Sequence, residues 1–283
     1  MMKFSDVLYH PQGKNRPSTE EVLKNLSSSF EVSHDFFGKC EVEHFEIVNN
    51  GIKIFAEYRP VLNARGCVIM AHGYGQNRYI LTPQEQIFRS LGFSLVLFDQ
   101  RAFGLSEEST CTFGYLEAQD VARLIVWVKE NVGINIPIIL FGVSMGAATV
   151  LNALKYSEYV DYVIVDSGFS TLKNCLKSLH RSLNLGEIDD KIIQEFEEDT
   201  RKLGFQVDDN SPVHAIQYKT LPICIAHGLM DQVIDVEHAR QLFQACHHSE
   251  SHLELFEGKD HALCVTDLLR YENMLKHFLR KLL

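Results

Sequence analysis

"PIILFGVSMGAATVL", residues 137–151, is the stretch from which the rest of the chain is read. Its first half is an unbroken apolar run of strand length, as expected of a strand buried on both faces. From Met145 onward, small and apolar residues follow in a helical pattern. Ser144 stands at the corner, with Gly142 and Gly146 two residues away on either side. G-x-S-x-G between a strand and a helix is the pattern of a nucleophile elbow. Glycines let strand and helix pass close together, and the serine in the strained turn projects its hydroxyl alone. The corner is also a helix N-terminus, where unpaired N–H groups and the helix dipole favour a developing oxyanion. A plain Gly/Ser turn is the alternative, and the strand before and helix after argue against it.

Working outward, apolar strand-length runs alternate with amphipathic segments, which predicts an α/β chain with a mostly parallel sheet and helices on both faces. "EVEHFEIVNNGIKIFAEYRP" reads as an N-terminal antiparallel hairpin of 41–48 and 52–59, turned by Asn50-Gly51. "CVIMAHG", "SLVLFD", "PIILFGV", "YVIVDSGF", "LPICIAHG" and "HLELFEG" follow as strands. Helices are expected at 83–91, 115–131, 145–156 and from about residue 263. Residues 170–220 interrupt the rhythm with two helical patterns, 171–183 and 188–204, and are expected to form a helical cap or lid. Residues 1–40 are set apart as an N-terminal extension of a 41–283 domain.

A serine hydroxyl is a poor nucleophile at neutral pH, so Ser144 calls for a histidine base and an acid that orients it. Elbow proteins carry them in the order serine, acid, histidine, on loops after later strands. "HGLMDQVID" supplies Asp231 and "EGKDHAL" supplies His261. Asp235 in the same loop and Asp166 at the end of the preceding strand are rival acids, and Asp260 reads as a turn residue. Two backbone N–H groups are needed for the oxyanion. Met145 offers one, and Tyr74 in "AHGYGQNR" the other.

Composition limits the partners. The 283 residues carry a formal net charge of -10, 46% hydrophobic and 23% charged residues. Such a balance suits a soluble globular chain and disfavours nucleic acid, whose binding draws on clustered Lys and Arg. No run is long and apolar enough to span a bilayer, and the first residues lack the apolar core of a secretory signal, so a cytoplasmic protein is expected. Seven cysteines without a C-x-x-C pair predict reduced, mostly buried thiols. His247, His248 and His252 in "HHSESH" have no converging thiol or carboxylate set, so no metal is expected, and the chemistry needs no cofactor.

On "HGYGQNR", "FDQRAFGLS", "GVSMGAA", "HGLMDQVI" and "GKDHA", the sequence resembles the α/β-hydrolases. Within them it is similar to small bacterial serine esterases of the cinnamoyl and feruloyl type and to prolyl-oligopeptidase-like catalytic domains. The resemblance spans about residue 41 to the end and implies the α/β-hydrolase fold. One departure is Ala102, where relatives commonly carry glycine, and it puts the shape of that loop in question. The chain is thus expected to be a serine hydrolase, a carboxylesterase acting through an acyl-enzyme on Ser144. Its expected substrate is a small-molecule ester with an uncharged acyl or aryl group of small to medium size. Tyr74, Phe103 and Phe169 are candidate pocket residues. Peptidase or amidase activity, thioester hydrolysis or acyl transfer through the same residues, and a non-catalytic binding protein of this fold, remain as alternatives.

Overall fold

The computed structural model describes residues 9–11, 17–18, 20–22, 24, 41–183 and 185–283. The extension expected over 1–40 lies mostly outside the described residues. The hairpin is β1 (Glu43–Asn49) and β2 (Ile52–Arg59), in antiparallel register from Glu43 opposite Tyr58 to Asn49 opposite Ile52. Asn50 and Gly51 turn it at φ 50° and 80°, the left-handed pair that a two-residue turn of matching twist requires.

The chain then alternates through β3 (Cys67–Ala71), α1 (Thr82–Ser90), β4 (Ser94–Phe98), α2 (Glu117–Asn131), β5 (Ile138–Val143) and α3 (Met145–Ala153). It continues through β6 (Tyr162–Asp166), α4 (Leu172–Ser182), α5 (Asp190–Lys202), α6 (Pro212–Ile216) and β7 (Ile223–Gly228). α7 (Glu237–Gln244), β8 (His252–Phe256) and α8 (Leu268–Phe278) complete it. One eight-stranded sheet results, in the order β1-β2-β4-β3-β5-β6-β7-β8. β2 runs antiparallel to β1 and β4, and every other pair is parallel.

Alternate residues of the strands feed two cores. Cys67, Ile69 and Ala71 of β3 face the side covered by α2, α3 and α7, where Val121, Leu124, Val150 and Leu242 meet them. Val68 and Met70 face the other side, against Phe88 of α1 and Tyr271 and Leu275 of α8. The sheet is therefore apolar on both faces, which is why its strands read as unbroken apolar runs. The chain passes from β3 to β4 on one side and then to β5 on the other. The carboxyl ends of β3 and β5 thus flank a topological switch point, the crevice where open α/β sheets bind ligands.

Element ends differ from the sequence reading for identifiable reasons. β6 stops at Asp166 because Ser167 turns to φ 54°. The last helix starts at Leu268 rather than near 263, because residues 264–266 form a 3-10 turn and Asp267 caps α8, its carboxylate accepting from Arg270 N–H.

Among the described residues, 170–220 hold three α-helices and a 3-10 turn at Val207–Asp209 rather than two helices. Leu172, Leu176, Phe196, Phe205 and Val207 from this segment pack with Tyr9, Phe113 and Met145 into a third core. A buried histidine of α7, His238, fastens Ser170 and α4 of this segment. Ser170 N–H donates to His238 Nδ1 at 3.1 Å, and His238 Nε2 lies 3.2 Å from Ser178 Oγ, so the neutral imidazole accepts at one nitrogen and donates at the other. Burial foremost, then His227 and Arg181, outweigh Asp235 and Asp231 and bring the His238 pKa down to about 4.

An unfolded histidine titrates near pH ~6.5, so between that pH and about 4 the unfolded chain holds more protons. The stability supplied by neutral His238 is complete above the upper value and is lost as pH falls through the lower one. Urea unfolding of the wild type between these limits should therefore show a pH slope that His238→Gln reduces by up to about 1.4 kcal/mol per pH unit. Equal slopes in the two proteins would contradict the assignment.

Candidate active site

Ser144 joins β5 to α3 at φ 56° and ψ -118°, a conformation that costs a non-glycine residue on the order of 1–3 kcal/mol. The flanking glycines are there because of contact distance. A β-carbon on Gly142 would lie 2.2 Å from Gly146 O, and one on Gly146 would lie 2.1 Å from Ala71 O. Strand, helix and the end of β3 touch backbone to backbone. Ser144 N–H donates to Asp166 O at 2.8 Å, tying the corner to β6.

The loops after β7 and β8 bring Asp231 and His261 to this corner. His261 Nε2 is 2.9 Å from Ser144 Oγ, and its Nδ1 is 2.8 Å from Asp231 Oδ2. Nδ1–H donating to a carboxylate leaves Nε2 as the acceptor for the serine hydroxyl, the tautomer a general base needs. Asp231 is itself fixed. Its Oδ1 accepts from Val233 and Ile234 N–H, and His227 Nε2 stands 3.2 Å from Oδ2. Burial would raise its pKa, but the hydrogen bonds from His227 and His261 and the His261 charge hold the carboxyl well below the usual range.

The rival carboxylates are engaged elsewhere. Asp166 is fully buried, bonded by Ser167 Oγ at 2.9 Å, with its pKa raised by burial. Asp235 accepts from Glu237 N–H at the start of α7, and Asp260 accepts from the backbones of Gln232 and His261. Ser167 also steadies the histidine loop, its Oγ accepting from Ala262 N–H at 3.0 Å.

The loop carrying Tyr74 is set by residues that sequence reading passed over. Gln100 N–H donates to His72 Nε2 at 2.9 Å, so the His72 proton sits on Nδ1, which donates to Gly73 O at 2.7 Å. Carbonyl and N–H of a trans peptide point opposite ways, so this bond turns the Tyr74 N–H away from His72. Gln100 spans the gap to α3 as well. Its Nε2 donates to His72 O, and its Oε1 accepts from Thr149 Oγ1 at 2.7 Å. The two segments with the expected oxyanion donors, Tyr74 and Met145, are thereby linked through one buried amide.

Arg78 of the same loop pairs with Asp99, Nη1 to Oδ2 at 2.5 Å, and Arg101 forks onto Asp120 at 2.8 and 2.7 Å. These buried pairs use the Asp and Arg of "FDQRAFGLS" as braces. Ala102 sits at φ 68°, so the loop keeps the left-handed backbone of a glycine there, at a cost of about 1–2 kcal/mol.

A cavity of about 340 Å³ opens beside Ser144 and His261. Tyr74, Ile80, Leu81, Val143, Leu263 and Val265 supply much of its wall. Tyr74 is stacked on Phe113 with ring centroids 5.2 Å apart. Phe103 and Phe169 do not line the cavity, and their reading as pocket residues is corrected. Both are buried in the third core, Phe103 edge-on to Tyr74 and His72. Strand-end aromatics here found burial under residues 170–220 more favourable than exposure. No described residue of that segment lines this cavity either.

Among the described residues, no group of three or more His, Cys, Asp or Glu could hold a metal ion. No helix among them is long and apolar enough to cross a membrane. Cys67, Cys111, Cys175, Cys224 and Cys264 are buried and unpaired.

Residues 66–203 match the family model described as the alpha/beta hydrolase fold. The uncharacterized protein YqkD of Bacillus subtilis is 24% identical over 255 residues, covering 89% of this chain and 83% of that protein. A proline iminopeptidase of Saccharolobus solfataricus is 30% identical over 152 residues, 52% of this chain and 48% of that protein. The solved structure of an esterase from Pyrococcus furiosus covers 95% of this chain and 98% of its own, with a TM-score of 0.72 at 16% identity. The family match and the likeness to solved structures agree with the eight-stranded, mostly parallel sheet described above, and the chain has the α/β-hydrolase fold.

Proposed function

We propose that this protein is a serine hydrolase that cleaves carboxylic esters through an acyl-enzyme on Ser144. The observation that carries the reading is the unbroken hydrogen-bonded line from Ser144 Oγ through His261 to Asp231. His261 takes the hydroxyl proton as Ser144 attacks the carbonyl, and Asp231 stabilises the imidazolium. Backbone N–H groups of Tyr74 and Met145 receive the oxyanion. Protonated His261 then gives its proton to the leaving alcohol, and water reverses the sequence.

The lining favours an ester over a peptide with a free amino terminus. Among the described residues, no Asp, Glu, Lys or Arg lines the cavity beside Ser144, so a charged group placed there would lose its hydration without a partner. An uncharged arm of small to medium size fits this surface and volume. Residues 41–283 are read as the catalytic unit, with 170–220 as its helical cap.

A fluorophosphonate probe should label the wild type and fail to label Ser144→Ala. The same variant should lose roughly 10⁴-fold or more in kcat on aryl acetates while keeping its fold. Equal labelling of the variant would remove Ser144 from the reaction, and an unlabelled, folded wild type would favour a binding protein. Faster cleavage of aminoacyl anilides than of esters would favour a peptidase.

For the acid, Asp231→Asn should lower kcat by roughly 10²- to 10⁴-fold because the imidazole loses its orienting partner. Asp166→Asn should stay within about tenfold of the wild type, since Asp166 bonds Ser167 and not His261. The reverse order would move the acid to β6.

A further inference from the structure

The cavity beside Ser144 is apolar except at a few points, and one of them is unusual. Gln84, in the first turn of α1, lines it with 3% of its surface exposed. Its Oε1 is buried with no hydrogen-bond partner among the described residues. A buried amide oxygen left unsatisfied is costly, so a donor that reaches it gains a hydrogen bond. Gln84, Ser144 and His261 line one cavity, so an arm bound in it can meet the Gln84 side chain while its carbonyl faces the serine.

We propose that Gln84 is a specificity-determining residue that selects a substrate arm, apolar along its length and carrying an uncharged hydrogen-bonding group, such as a hydroxyl, at its far end. The inference rests on the reading of Ser144 as the nucleophile. An amide suits this task because turning it about its last bond exchanges donor and acceptor, whereas a carboxylate or an ammonium would demand one charge. The walls from Ile80, Leu81, Pro83, Val143 and Val265 hold the apolar length of the arm. A hydrocarbon end set against Gln84 would leave its amide as unpaired as it is now. Sites built to bond a polar group reject the analogue without it for this reason.

Two ester series test the proposal, methyl ω-hydroxyalkanoates and ω-hydroxyalkyl acetates of increasing length. Each member is compared with the ester carrying methyl in place of the hydroxyl, by acid release. In one series, at the length that reaches Gln84, the wild type should favour the hydroxyl ester by about 10- to 100-fold in kcat/KM. Gln84→Leu should abolish that preference and, having removed an unsatisfied buried amide, should raise Tm. Gln84→Asn should retain the preference but shift it to a longer chain, which a purely structural role would not produce.

Equal turnover of hydroxyl and methyl esters at every length, or a preference that survives Gln84→Leu, would overturn the proposal. Phenyl acetate serves as the control. Ser144-dependent cleavage of it without any hydroxyl preference defeats this inference alone, and failure to cleave any ester defeats the proposed function and this inference with it.

Discussion

The carbonyl oxygen of Ala71 occupies the space that a β-carbon on Gly146 would need, and Gly146 O does the same to Gly142. This backbone contact between β3, β5 and α3 is the constraint on which the site depends. It holds Ser144 in a conformation that a serine would not adopt on its own, because the packed sheet and helix leave the corner no room to relax. Burial of β5 between two apolar layers provides the rigidity, with Ile139 and Phe141 on one side and Ile138 and Leu140 on the other.

Around that corner, parallel strands deliver loops to one edge of the sheet. β5 brings Ser144, β7 brings Asp231 and β8 brings His261, each from beyond its carboxyl end. The last two loops are sewn together before their side chains meet, by Leu229 N–H to Phe256 O and Met230 N–H to Lys259 O, both at 2.9 Å. Asp231 and His261 therefore approach each other with their backbones already paired. Histidines 72 and 227 do related work one step out, the first turning the Gly73 peptide and the second bracing the carboxylate.

Much of this was legible in sequence because it repeats at short range. The glycine spacing around Ser144, the apolar strands and the Asn50-Gly51 turn are local signals, as were the loop positions of Asp231 and His261. What sequence left out depends on distant partners. Gln100 carries no local mark of its bonds to His72, just after β3, and to Thr149 in α3. Phe103 and Phe169 look like pocket residues in sequence because they follow strands near the site, whereas packing in a shared cluster with residues of 170–220 such as Leu172, Leu176 and Phe196 makes them core. Asp267 was passed over as a helix cap because an apolar 3-10 turn before it blurs the start of α8. Ala102 shows a further limit, since its left-handed backbone persists without the glycine that would have announced it.

The most direct measurement is the structure of the protein after reaction with a small alkyl phosphonate ester. The expected result is a covalent bond from phosphorus to Ser144 Oγ, the phosphoryl oxygen facing the backbone N–H groups of Tyr74 and Met145, and His261 still bonded to Asp231. Phosphorus attached to any other side chain, or an oxygen turned away from both N–H groups, would contradict the account.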